Sequence, residues 1–268
     1  ANNGPYTSVT ASNNQANTVG YDTYHCFADI TAFAQEAGIK SRFTVADIIL
    51  DEIGMVNKFG SWTMVVIYKD NSAILRQLTC FEGLANVEGG SAATQIVNIP
   101  ISGFLTPTSG PVNFETGIYV HDGDRGYSGD KLSFDGGSGF VSIINPLNPL
   151  TNTMNGTCST NGVQNPFMIP LLFNTGGLDA DIYSPNNATK NYLGNAVTSC
   201  TFQMTTVGDT YLPQMITTSI DVYEPDLQAY VKIRDVNGGT VNSGDILEYT
   251  VKGINTGSDA SINTFITD

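Results

Sequence analysis

Charge is scarce in this chain of 268 residues: Asp, Glu, Lys and Arg make up 13%, against ~25% in an average soluble domain. The basic side is the scarcer, 11 Lys and Arg against 25 Asp and Glu, for a formal net charge of −14. A surface of that sign repels polyanions, which argues against nucleic acid and anionic membrane as partners. Long hydrophobic runs are missing too. No window approaches the ~18 consecutive apolar residues of a membrane span, so no transmembrane segment is expected. No basic-plus-apolar leader precedes Ala1, and a secreted protein would have lost its leader or carry it upstream.

Catalytic equipment is equally thin. His25 and His121 are the only histidines, and neither a Gly-x-Ser-x-Gly elbow nor a Gly-x-x-x-x-Gly-Lys phosphate loop occurs. His25 beside Cys26 hints at a thiol nucleophile, but a cysteine flanked by Tyr24 and Phe27 in a strand reads better as a core or disulfide residue. Any two of the acids could serve a glycosidase, yet nothing singles out a pair. The expectation is a protein that is not an enzyme. Cysteine is limited to Cys26, Cys80, Cys158 and Cys200, with no CxxC pair, which argues against zinc. An even count in an extracellular-looking chain fits two disulfides. Of the three connectivities, Cys26–Cys80 with Cys158–Cys200 is favoured, each joining strand segments of the same half, with four reduced core thiols as the alternative.

What the chain does contain is 41% hydrophobic residues, 28 Gly and 11 Pro, a composition for short strands and many tight turns. The densest β-forming run is residues 60–70, with Trp62 and the apolar Met64, Val65, Val66 and Ile67. It is expected to be a central strand buried on both faces, with Trp62 in or beside the core. Further strands are expected at 6–10, 21–30, 42–50, 75–81, 95–104, 113–120, 179–183, 199–206 and 215–223. Asp29 and Gly38 bracket one helix of about two turns as N-cap and C-cap. Residues 145–175, rich in Asn, Pro, Thr and Gly, form a long irregular excursion. Glu224-Pro225-Asp226 marks a boundary, after which alternation restarts at 227–236, 245–254 and 262–266.

The fold class expected is therefore all-β: a jelly-roll-like two-sheet sandwich with one short helix over residues 1–225, then the start of an immunoglobulin-like β-sandwich repeat, incomplete, over 226–268.

The most charged loop holds the strongest local chemistry. Asp122, Asp124 and Asp130 place hard oxygens on a glycine-bent segment, as Ca²⁺ requires. The spacing departs from an EF-hand, and Arg125 lies among them, so a solvated turn with capping aspartates is the competing reading. Tyr127 and Tyr119 beside it are candidates for stacking on a sugar ring, as is Tyr183, with ordinary sheet aromatics as the alternative. Asp179 and Asp181 fall on one strand face, read here as polar surface.

Residues 235–257, from Asp-Val-Asn-Gly-Gly-Thr-Val-Asn-Ser-Gly-Asp through Glu-Tyr-Thr-Val-Lys-Gly-Ile-Asn-Thr-Gly, with Phe265-Ile-Thr-Asp268, resemble the start of the immunoglobulin-like repeat found in tandem in large bacterial surface proteins. The body, through residues 24–31, 43–46, 60–70, 75–83, 123–132 and 208–227, resembles a β-sandwich domain that precedes such repeats in cell-surface adhesins, including gliding-motility and type IX-secreted proteins of Bacteroidota. The resemblance implies an extracellular, non-catalytic segment or subunit of a cell-surface adhesin or fibre. It implies as partners adjacent repeats of the same chain or neighbouring subunits, engaged by strand addition. A hydrophobic strand usual ahead of the segment matching 5–10 is absent, so both ends are expected to be cut or completed by a neighbour. The alternative is a calcium-dependent carbohydrate-binding module that takes a surface glycan. The sequons at Asn155 and Asn187 would stay unmodified in a bacterial protein.

Overall fold

The computed structural model describes residues 6–17, 22–38, 40–52, 54–55, 58, 60–90, 93–257 and 260–267. The expected strand start at Tyr21 and the end of the repeat match at Asp268 lie outside them. The chain divides into two units, residues 1–221 and 222–268, and nearly all regular structure is β.

In the first unit the strands are β1 (Asn13–Asn17), β2 (Thr23–Phe27), β3 (Arg76–Glu82), β4 (Gln95–Ser102), β5 (Phe114–His121), β6 (Lys131–Asp135), β7 (Val141–Ser142), β8 (Cys158–Thr160), β9 (Val163–Gln164), β10 (Leu178–Tyr183), β11 (Ser199–Thr206) and β12 (Leu212–Asp221). They form a six-stranded sheet in the order β3-β12-β5-β10-β8-β9, a four-stranded sheet β4-β11-β6-β7 and a β1-β2 hairpin. The pairs are antiparallel except β8 with β10.

The two larger sheets share one core. Ile118, Val120, Ile216, Ile220 and Tyr183 of the first sheet pack in one cluster with Leu132, Phe134, Phe202 and Met204 of the second. Phe114 stacks on Phe134 at 5.3 Å between ring centroids, and Phe134 meets Phe202 edge-on at 4.9 Å. Rings from both sheets thus interdigitate, and deleting one such buried ring costs about 3–5 kcal/mol.

The centre of the large sheet is β5, not residues 60–70. Those residues make no ladder, and Val66, Ile67 and Tyr68 are 59, 62 and 75% exposed, with Trp62 44% exposed. A run of β-formers becomes a strand only where a partner is open, and β5 is already flanked by β12 and β10. Residues 6–10 and 42–50 likewise lack strand pairing. The helix α1 (Thr31–Ala37) forms where expected. The N-cap is Ile30, without a side-chain cap bond, rather than the expected Asp29, whose Oδ1 accepts the Thr31 amide at 2.8 Å from one residue further back; Gly38, at φ 78°, is the C-cap and closes the last turn on the Ala34 carbonyl. Among the described residues no helix is long and apolar enough to cross a membrane.

The second unit is a single hairpin, β13 (Leu227–Asp235) with β14 (Leu247–Asn255), in antiparallel register. The third strand expected at 262–266 makes no ladder. Two strands cannot cover each other's faces, so Tyr230, Val231, Ile233 and Tyr249 remain more than half exposed.

Candidate functional site: a buried acidic cluster

The acidic loop leaves the C-terminal end of β5 and turns inward. Asp122 adopts a left-handed backbone, φ 67°, which Asp tolerates better than most residues. Its amide donates to the Gly177 carbonyl at 2.7 Å, tying the loop to the start of β10. The next residue has no room for a side chain: a Cβ on Gly123 would lie 2.1 Å from Asp179 Oδ2 and 2.8 Å from the Met154 carbonyl carbon. The Asp124 amide donates to Asp209 Oδ2 at 2.9 Å. Asp130 is wholly buried, and its Oδ2 accepts the Met154 amide at 2.5 Å.

The excursion at 145–175 supplies the counterpart. Its amides at Asn155 and Thr157 donate to Asp179 Oδ1 at 2.9 and 3.1 Å. Asp181 accepts Ser159 Oγ at 2.5 Å, Asn148 Nδ2 at 2.9 Å and Thr157 Oγ1 at 3.3 Å. Alternation does put Asp179 and Asp181 on one face of β10, but that face is the interior one, shared with Tyr183, and both are fully buried. The polar-surface reading fails because the Asn/Thr/Ser-rich excursion, rather than water, solvates these carboxylates.

The electrostatics follow from that burial. Asp181 is pushed up to about 6 by burial, held back by its hydroxyl and amide donors. Burial also raises Asp130, and raises Asp179 well above the carboxylate range with the Asp181 charge adding to it. Asp209 is pushed up to about 7, first by burial, then by Asp124, Asp130 and Asp122, against the pull of the Asp124 amide. The three aspartates singled out in the loop therefore surround a fourth, Asp209, from a distant turn that sequence reasoning missed. No ion pair among the described residues involves Asp130, Asp179, Asp181 or Asp209. Buried atoms without a partner cluster here: Asp130 Oδ1, Asp179 Oδ2, Asn152 Oδ1, Asn155 Oδ1 and the Tyr183 hydroxyl. Among the described residues no three His, Cys, Asp or Glu side chains are grouped to hold a metal ion, so Asp122, Asp124 and Asp130 alone do not make a calcium site.

Of the stacking candidates only Tyr127 is open, 60% exposed. Tyr119 and Tyr183 are 4 and 2% exposed, which leaves neither ring a face for a sugar. Arg125 reaches away from the aspartates to the Phe173 carbonyl. The sequon residues Asn155 and Asn187 are buried, their side-chain amides bonded to backbone carbonyls.

On the opposite face of the large sheet the two histidines meet through a glutamine. Glu82 Oε2 lies 3.2 Å from His25 Nε2, His25 Nδ1 3.3 Å from Gln214 Oε1, and Gln214 Nε2 3.0 Å from His121 Nδ1. His121 Nε2 and the Tyr119 hydroxyl both contact Ser61 Oγ, at a cleft of about 180 Å³ that Thr175 and Gly176 help line. A hydroxyl on an imidazole is the pair nucleophilic catalysis needs. Where the Gln214 amide nitrogen donates to Nδ1, the ring proton sits on Nε2 and faces Ser61, the wrong way round for a base. Burial and the nearby His25 push His121 down to about 4 and keep it neutral. The arrangement docks Ser61 onto the sheet.

All four cysteines are free thiols, so neither expected disulfide is formed. Cys200 joins the core cluster from β11. Cys158 pairs with Ala180 of β10 while its neighbour Ser159 bonds Asp181 in the interior, so Cys158 points out of the far side of the other sheet. Facing sheets stand ~10 Å apart, beyond the reach of a disulfide between residues so oriented. Cys26 and Cys80 lie on β2 and β3, which do not pair.

The chain matches no protein-family model, no curated protein and no solved structure.

Proposed function

We propose that this protein is a non-catalytic, extracellular structural or adhesive protein, a segment or subunit of a bacterial cell-surface adhesin or fibre. The observation that carries the reading is the β13–β14 hairpin. Among the described residues its strands pair only with each other, and it shows Tyr230, Val231, Ile233 and Tyr249 to solvent. A two-stranded ribbon is marginal alone, and its open edges are templates for further strands. Strands from an adjacent repeat or a neighbouring subunit would complete it by β-augmentation. Electron microscopy with light scattering of the native protein tests this. Fibres, or a chain of modules in which 227–255 pair with further strands, are expected. A fully folded monomer whose hairpin stays unpaired at high concentration would overturn it.

A second reading, a calcium-dependent carbohydrate-binding module, is favoured by exposed Tyr127 on the loop that carries Asp124 and Asp130. Glycan arrays with and without calcium test it; silence in both conditions removes it.

A further inference from the structure

We propose that the buried acidic cluster holds one hard divalent cation, Ca²⁺ in preference to Mg²⁺, through Asp130 Oδ1, Asp179 Oδ2 and Asn155 Oδ1. This shares a bound cation with the second reading above but requires no glycan, and it moves the site inward from Asp122 and Asp124.

Three observations converge. First, Asp130 and Asp179 are fully buried, and none of the ion pairs among the described residues involves either. Isolated carboxylates in a protein interior are retained where they pair or coordinate a metal. Second, each carboxylate has one oxygen satisfied and one orphaned. Met154 and Asn155, consecutive residues, donate their amides to Asp130 Oδ2 and Asp179 Oδ1, while Asp130 Oδ1 and Asp179 Oδ2 find no donor. Adjacent residues of one turn therefore each hold one carboxyl group by a single oxygen and leave its second oxygen unused. Asn155 itself adds a third orphaned acceptor, Oδ1, its Nδ2 being committed to the Leu147 and Asn152 carbonyls. Asn152 Oδ1, on the same turn, is a fourth. Third, Asp179 Oδ2 is aimed into the acidic loop, against the bare Cα of Gly123. The loop's carbonyls are therefore within the neighbourhood of the orphaned oxygens.

Oxygen-only donors with two carboxylates and one amide suit a hard cation. They do not suit zinc, which takes nitrogen and sulfur. Ca²⁺ accepts six to eight oxygens at about 2.3–2.6 Å in adaptable geometry, whereas Mg²⁺ demands a near-ideal octahedron. A set built from carboxylate, amide and backbone oxygens fits the former.

The test is isothermal titration of CaCl2, then MgCl2, into chelator-stripped full-length protein without glycan, read in parallel by thermal denaturation. One calcium per chain with a rise in Tm is expected, and weaker binding of magnesium. Asp122→Asn and Asp124→Asn keep the affinity, while Asp179→Asn and Asp130→Asn lower it by roughly tenfold or more. Should the latter two fail to fold, Asn155→Asp decides: a third charge on the ligand set raises calcium affinity roughly tenfold. No heat and no Tm shift in the wild type up to millimolar calcium overturns the proposal. So does binding lost in Asp122→Asn but kept in Asp179→Asn, or an Asn155→Asp variant with unchanged affinity. Calcium binding with glycan arrays silent would leave this site standing and remove only the carbohydrate reading.

Discussion

Gly123 and Asp179 share a space that admits no methyl group: a Cβ on the glycine would stand 2.1 Å from the aspartate's Oδ2. The other near atoms are the Met154 carbonyl carbon at 2.8 Å, backbone that cannot swing aside, and the Met154 Cβ at 2.9 Å. Gly123→Ala is therefore expected to cost about 1–3 kcal/mol. Gly126→Ala, three residues on with nothing within 4 Å, is the neutral control. Denaturant midpoints of the two variants check it, and equal midpoints would mean the loop is looser than described.

Asp181 anchors the excursion to β10 through three side chains. Asp181→Ala strands the Ser159 hydroxyl and the Asn148 amide in the interior and is expected to cost about 1–3 kcal/mol, with Asp181→Asn costing less because it keeps one acceptor. Limited proteolysis between residues 145 and 175 should accelerate in the alanine variant first.

How much of this was legible in the sequence varies with the physics involved. The all-β class was, since Gly, Pro and β-branched residues report directly on turns and strands. Asn113 to Val120 was correctly expected as a strand, but its central place was not, because rank within a sheet depends on partners far along the chain. Residues 60–70 outscored it on propensity and lie irregular on the surface. The acidic face of β10 was read correctly for parity and wrongly for exposure. The signal that could have corrected it was the excursion's supply of Asn148, Thr157 and Ser159, donors enough to solvate carboxylates inside. Asp209 had no local signal at all.

Asp209 sets a pH dependence. Its folded value of about 7 lies above the ordinary 3.8, so the folded state holds the proton more tightly. The stability it contributes is complete below pH 3.8 and is lost as pH rises through 7. Asp122, Asp124 and Asp130 face it and steepen the loss. Asp209→Asn should gain on the wild type as pH rises over that window, by at most about 1.4 kcal/mol per pH unit. Chemical denaturation at pH 5 and pH 8 in chelator measures it; a constant difference would place Asp209 in water.

His121 has the opposite sign. Its folded value of about 4 lies below the ordinary 6.5, so stability present above 6.5 is lost as pH falls toward 4. Ser61, Tyr119, Gln214 and His25 surround it. His121→Gln, which stays neutral, should flatten the acid limb of the stability profile.

Ser61 fastens the segment beside the only tryptophan to the sheet. Ser61→Ala is expected to cost about 1 kcal/mol and to shift Trp62 emission to the red with greater acrylamide quenching. Unchanged emission would mean that the 60–70 segment is held by other contacts.

The pairing of β5 with β12 and β10, and of β4 with β11, has a consequence for the chain as it is made. Each sheet joins an early strand to a late one, so the four-stranded ladder cannot close until Ser199–Thr206, nor the six-stranded one until Leu212–Asp221, has left the ribosome. Until then Phe114, Ile118 and Ile101 have no covering layer, and loop closure must be met before any long-range contact forms. Such a topology folds late and slowly. A polypeptide of this topology therefore keeps its core open until those strands arrive.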